Sequence, residues 1–562
     1  TAGDIGEVEV TSGTLDIDDG TVGATAVSGG TFDLATGTVA SLDLTGITGT
    51  ASMLSGEITG AVSIAGATFG QGGGLLGTDG TTASTVTVGT GGILTANGIG
   101  TGNIVANAGS QVNIGGTNVA SLDLNDGGLH TTSGNGEVEG VVTIDNATLA
   151  QNGAGSRLGI DGAIGAGTAS TVTVGLGGDY QANAGIAGDV TNNGGTINAA
   201  GTNFASLTNT SSYTDVRGGS EVVGTTTVTG GTVTVAGGTL TGKATVNGGL
   251  LDVNSGTVGA VDVATGATLD VDGGTLGAVD NSGTTTIDSA SATSLTNTAN
   301  TSAVNAGGSV TTTTTVTGGT VTVAGGTLTG AATVGNATSG TAILTQTSGS
   351  TGAVTVSDRG TLNASGGTVG AVEAAVDSSG TAADVNLTGT AVVASLDLNA
   401  GAGHVVSNNA EVTGVVTIDN ATLTQSGAGS KLGTDGTTAS TVTVGTTGVL
   451  DVNGGMVGAI DNSGTTTIDS ASATSLTNTA NTSAVNAGGS VTTTTTVTGG
   501  TVTVAGGTLT GKATVNGGLL DVNSGTVGAV DVATGATLDV DGGTLGAVDN
   551  SGTTTIDSAS AT

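Results

Sequence analysis

The sequence has no cysteine, no proline and no tryptophan, and only 1% of it is aromatic. Without cysteine, no disulfide can hold the chain together. Without proline, and without a strict three-residue glycine period, a collagen-like triple helix is excluded. An ordinary enzyme of 562 residues would fill several thick cores with leucine and aromatic side chains. Here those fillers are nearly missing, so any core must be thin and lined by Val, Ile, Leu, Ala and Thr. Positive charge is scarce as well: six Lys and Arg against 43 Asp and Glu give a formal net charge of −37. Phosphate contacts need basic side chains, so nucleic acid is excluded as a partner and anionic membrane surfaces are disfavoured. No apolar run is long enough to span a bilayer, and no signal peptide is recognisable.

What is present is glycine, 110 residues of it, with Thr, Ala, Val, Ser, Asp and Asn making up most of the rest. Such a composition borders on disorder. Two features oppose that outcome: 36% of the chain is hydrophobic, largely as β-branched Val, and these residues recur in register.

Repeats set the architecture. Residues 225–293 recur unchanged at 494–562, and residues 280–330 recur at 461–511. A more diverged family begins with VASLDL at Val39, Val119 and Val393. Each of its copies continues through AVSIAGATF or VVTIDNATL into STVTVG. From Ser220 the sequence divides into units of about 18 residues, SEVVGTTTVTGGTVTVAG, GTLTGKATVNGGLLDVNS, GTVGAVDVATGATLDVDG and GTLGAVDNSGTTTIDSAS. Stacking them aligns Val222, Leu240, Val258 and Leu276 in one column, and Val233, Leu251, Leu269 and Ile287 in a second. Val235, Val253, Val271 and Ser289 form a third. The last two columns lie two residues apart and so share one face of a strand. Glycine pairs such as Gly230-Gly231 and Gly248-Gly249 mark the corners, where tight turns need positive φ.

The expected fold is all-β: a parallel β-solenoid, or β-helix, with about 18 residues per turn. The core columns do not follow a strict six-residue rule, which favours the right-handed form over the left-handed hexapeptide type. Residues 1–562 read as one continuous array, expected to be a fragment of a longer chain. Roughly 25–31 turns at ~4.8 Å each predict an elongated rod of about 120–150 Å. Each turn would bury about five or six small apolar side chains, worth about 1–3 kcal/mol apiece, and no single turn would fold alone.

The run GTVTVAGGTLTGKATVNGGLLDVNSGTVGAVDVATGATLDVDGG resembles the β-strand repeats of bacterial surface adhesins and autotransporter passengers. The resemblance extends over nearly the whole chain and rests on repeated GGT-[VL]-x-V segments. It implies an exported, extracellular rod projecting from a bacterial cell. Neither a translocator barrel nor a tip domain is visible in the sequence.

The acidic residues offer the main candidate chemistry. Asp252, Asp270 and Asp288 are expected in one outward column, repeated by Asp521, Asp539 and Asp557. Asp262 and Asp280 make a shorter one. At ~4.8 Å, neighbouring carboxylates repel by roughly 1 kcal/mol in water, so such a column invites a hard cation such as Ca²⁺. Solvated carboxylates screened by salt are the simpler expectation. Asp16 and Asp18 alternate along a strand and are expected to be solvated or cation-bridging. His130 and His404 occupy matching places in two duplicated blocks and, with no Cys, His or Glu cluster nearby, are expected on the surface or in loops. Threonine rows such as TVTV at 232–235 resemble those of ice-binding proteins, but Asp interrupts the outward column at the next turns.

No catalytic constellation emerges, so the chain is not expected to be an enzyme. The leading expectation is a structural extracellular fibre or adhesin stalk. Its partners would be a cell surface, neighbouring cells or other copies of itself. The alternative is a self-assembling matrix filament or surface-layer component, with ice binding and polysaccharide cleavage ranked behind.

Overall fold

The computed structural model describes residues 3–47, 49–164, 168–335, 340–375 and 383–561. The chain divides into two compact units, Thr1–Gly277 and Ala278–Thr562. Each is a parallel β-solenoid. Among the described residues there is no helix, and the exceptions to parallel pairing are three isolated antiparallel bridges, Thr78–Ala83, Ile160–Ala169 and Thr434–Ala439.

One turn of the first unit shows how the sequence makes the fold. The segment Thr232–Leu240 begins with an alternating TVTV run, bends at Gly237 (φ 91°) and ends in a short second face at Thr239-Leu240. A third face follows at Ala244–Val246. The next turn repeats the pattern in Leu250–Val258 and Val261–Val263. Alternation places Val233 and Val235 inside, opposite Leu251 and Val253, and these four are fully buried. The columns continue to Leu269 and Val271, and on the second face from Val222 through Leu240 and Val258 to Leu276. The third face supplies a further inward pair per turn, Ala244 and Val246 opposite Val261 and Val263. In the sequence this shows only as an inconstant apolar position.

The corners at Gly231 and Gly249 carry φ values of 67° and 71°. They stack so closely that a Cβ on Gly249 would lie 2.4 Å from the Gly231 carbonyl oxygen. Glycine is required there both by backbone conformation and by space.

One column assignment needs correction. In the second unit, Val540 lies opposite Ile556 and Leu538 opposite Thr554. The step from Thr537 to Thr553 is 16 residues rather than 18, so the TTTI strand slides by two positions. In the same unit Ile287 pairs with Val304, which pairs with Val323. Ile287 therefore closes its strand instead of opening the core pair. Ser289 lies outside the strand with φ 48° and is exposed. The longest steps, 31 residues from Thr148 to Asp179, 27 from Thr422 to Val449 and 25 from Thr68 to Ile93, place their extra residues between the second and third faces.

Candidate functional site

The acidic columns form in part. Asp252 lies directly opposite Asp270, and Asp521 opposite Asp539, on the outer side of the first face. Asp252 is further held by Asn254 Nδ2 at 3.1 Å and Thr234 Oγ1 at 3.3 Å. Asp521 has the equivalent partners Asn523 and Thr503. The 16-residue step breaks the column after two members: Asp539 faces Thr555, and Asp557 lies exposed beyond the strand Thr553–Ile556. Asp288 likewise follows the strand Thr284–Ile287 and is half-buried, with Oδ1 lacking a partner. The three-member ladder expected from 18-residue stacking is thus a pair. Among the described residues, no group of three or more His, Cys, Asp or Glu is placed to hold a metal ion.

The shorter column carries its own cation. Asp531 stands opposite Asp549 on the third face and is paired with Lys512. The sequence copy of that pair, Lys243 Nζ to Asp262 Oδ2, measures 2.5 Å. Arg157–Glu137 and Lys431–Glu411, both at 3.4 Å, join adjacent turns in the same manner, while Arg217 bonds Asp215 at 2.6 Å. Five of the six basic side chains are therefore committed to carboxylates of the chain itself. Asp16 pairs with Asp33 and is exposed, as is Asp18.

The histidines contradict expectation. His130 and His404 are each 1% exposed. They stand in the inward column of the first face, opposite Leu149 and Leu423. Sequence reasoning treated polarity as a sign of exposure. The inward alternation of LHTT, with His where other turns carry Val or Leu, was the missed signal.

A second group of buried polar residues also escaped notice. Gln71, Gln151, Gln346 and Gln425 take the last inward position of the first face, where most turns place Ala, Val, Leu or Ile, and all are fully enclosed. Each turns its amide into the corner. Gln71 Nε2 donates to the Gly74 and Gly100 carbonyls, and its Oε1 accepts from Thr101 at 2.8 Å. Gln151 donates to the Ser156 and Ile186 carbonyls and accepts from the Tyr180 hydroxyl at 2.5 Å. These amides find their own partners in the corner: the Gly74 and Ser156 carbonyls accept them in addition to a backbone N–H from the next turn, Ile99 and Ile186 respectively, so neither amide is left unpaired.

On the outer third face the first unit carries an unbroken threonine ladder, Thr143, Thr173, Thr191, Thr208, Thr227 and Thr245. Each of these side chains is half-exposed. The TVTV segment singled out by sequence lies elsewhere, on the first face, where Asp215 and Asp252 flank Thr234. In the loop after Gly77, the Asp79 carboxylate is capped by Thr81 and Thr82 N–H groups and the Thr81 hydroxyl, which hold its pKa below the ordinary value. The matching Asp435 is pushed down to about 2, chiefly by the Thr438 N–H. These carboxylates cap their own loops.

Set against known proteins, the chain matches no family model, and no curated protein shows significant sequence similarity to it.

Proposed function

We propose that the chain is a structural spacer of a bacterial extracellular fibre or adhesin stalk, whose turns serve as interchangeable units of length. The observation behind this is the behaviour of the duplicated blocks. In the second unit, Thr284–Ile287 pairs with Thr301–Val304 and then with Thr320–Val323. The copy at Thr465–Ile468 repeats the same register through Thr482–Val485 to Thr501–Val504. A block that folds identically at two places in one chain can be added or removed without disturbing a distant site. An active centre assembled from remote residues would not allow this. The acidic surface keeps such a β-rich chain soluble and discourages lateral association.

The duplication supplies the test. Deleting residues 280–460 joins residue 279 to residue 461 with no new junction sequence, because 280–330 and 461–511 are identical. Electron microscopy of the full chain and of the deletion should show slender particles, the shorter by roughly 45 Å for nine strand layers at ~4.8 Å each. Compact globular particles, or a deletion that fails to fold, would overturn the spacer reading.

A further inference from the structure

His130 and His404 do more than fill the core. Their neighbours in the inward column are aliphatic, yet each ring makes the same bond to the backbone. The Val112 N–H donates to His130 Nδ1 at 3.1 Å, and the Val385 N–H donates to His404 Nδ1 at 3.2 Å. Both bonds fall where strand pairing is incomplete. The four-residue strand Gln111–Ile114 pairs fully with the preceding turn, but with the following turn only from Asn113↔Thr131 onward. In the second unit, pairing between Asp384–Leu387 and Gly401–Ser407 begins only at Asn386↔Val405. In both seams the imidazole stands in for a missing rung of the backbone ladder.

That role fixes the tautomer. A ring nitrogen that accepts an N–H carries no proton, so each neutral ring bears its proton on Nε2. His404 Nε2 donates to the Ala400 carbonyl at 2.7 Å, whereas His130 Nε2 is buried without a partner. Protonating Nδ1 would set two donors face to face and place a cation in an aliphatic core.

We propose that His130 and His404 are acid-labile latches: protonation at Nδ1 breaks the Val112 and Val385 rungs and opens these two seams between turns. The surroundings offer little to offset the charge. Around His130, strands Gln111–Ile114 and Thr148–Gln151 have no ionisable side chain. Asp123, Asp126 and Asp145 of the adjoining strand and corners lie on the outer surface, and Glu137 is engaged by Arg157. Burial pushes the His130 pKa down to about 4. Around His404, burial lowers the pKa, while the Ala400 carbonyl and the Asp384 charge act in the opposite direction. Asp397 lies on the outer side of its strand, Asp419 on the adjoining corner, and Glu411 is paired with Lys431. The folded pKa is thus below the unfolded one. The latch is closed above about pH 6.5 and weakens as pH falls from there.

Hydrogen exchange of the full chain between pH 7 and pH 5, corrected for intrinsic rates, tests this, because ordinary carboxylates stay charged in that window. Protection of segments 111–114 and 384–387 should fall up to tenfold per pH unit below pH 6.5, while segment 250–253 stays constant. His130→Leu should abolish the pH dependence at 111–114 alone, and His404→Leu that at 384–387 alone. Should either leucine variant fail to fold, His130→Gln and His404→Gln supply a non-titrating acceptor for the same N–H. Seams as pH-insensitive as segment 250–253, or an unchanged slope in the leucine or glutamine variants, would overturn the proposal.

Discussion

Asn462 Nδ2 donates to Asn478 Oδ1 at 2.8 Å across one turn of the solenoid, and Asn281 makes the same bond to Asn297, also at 2.8 Å. Each donor asparagine also reaches two backbone carbonyls and a serine hydroxyl: Gly464, Thr482 and Ser483 in one copy, Gly283, Thr301 and Ser302 in the other. Local sequence therefore specifies the complete buried network wherever the block occurs.

Removing one member should be costly. Asn462→Ala leaves the Gly464 N–H, the Thr482 carbonyl and Asn478 Oδ1 short of partners in an enclosed corner. A loss of about 3 kcal/mol is expected. A long repeat array need not unfold in one step, so the loss should be read locally, as reduced amide protection over residues 465–486. Combining it with Asn478→Val, which follows the valine that succeeds it at Val497, should cost less than the sum of the two.

Much of the fold was legible in the sequence. Columns through Val233, Val235 and Leu240 could be read directly, because strict alternation and glycine corners leave few other arrangements. What failed was register at Asp288 and Asp557. A two-residue shortening of one turn leaves the apolar pattern intact, since TTTI still places Ile inward. Polar core residues were invisible for a different reason. Gln71, Asn281 and His130 are buried because a bend or a broken ladder offers their polar atoms partners, and those partners come within reach only once neighbouring turns are stacked.

Glycine requirements should differ sharply between positions. Gly249→Ala must adopt φ 71° and meets the Gly231 carbonyl at 2.4 Å, so a penalty of about 3 kcal/mol is expected. At Gly116 an added methyl group would have no atom within 4 Å, and φ is not positive. Gly116→Ala should stabilise by about 0.5 kcal/mol through loss of unfolded-state freedom. Thermal melts of the two variants beside the parent chain would show opposite shifts.

Lys512 sits beside Asp531, which faces Asp549 on the next turn. Both side chains are about half exposed, so Lys512→Met should cost under about 1 kcal/mol. The loss should be greatest at low salt, where the two carboxylates are left unscreened, and should fade by about 1 M salt. A salt series of melting midpoints for parent and variant checks both points, and a loss independent of salt would instead indicate a packing role for the lysine stem.

The Asp521–Asp539 pair distinguishes screening from cation bridging. Facing carboxylates at strand spacing repel by about 1 kcal/mol in water, and Asn523 and Thr503 already bond Asp521. Asp539→Asn removes one charge and supplies a donor to the other carboxylate. It should raise the melting midpoint at low salt and change little at high salt. If mobile ions alone screen the pair, a chelator at constant ionic strength leaves the parent midpoint unchanged. If a divalent cation bridges it, the chelator lowers the parent midpoint and spares Asp539→Asn. Two carboxylates present too few oxygens for the six to eight that Ca²⁺ takes, so the first outcome is the expected one.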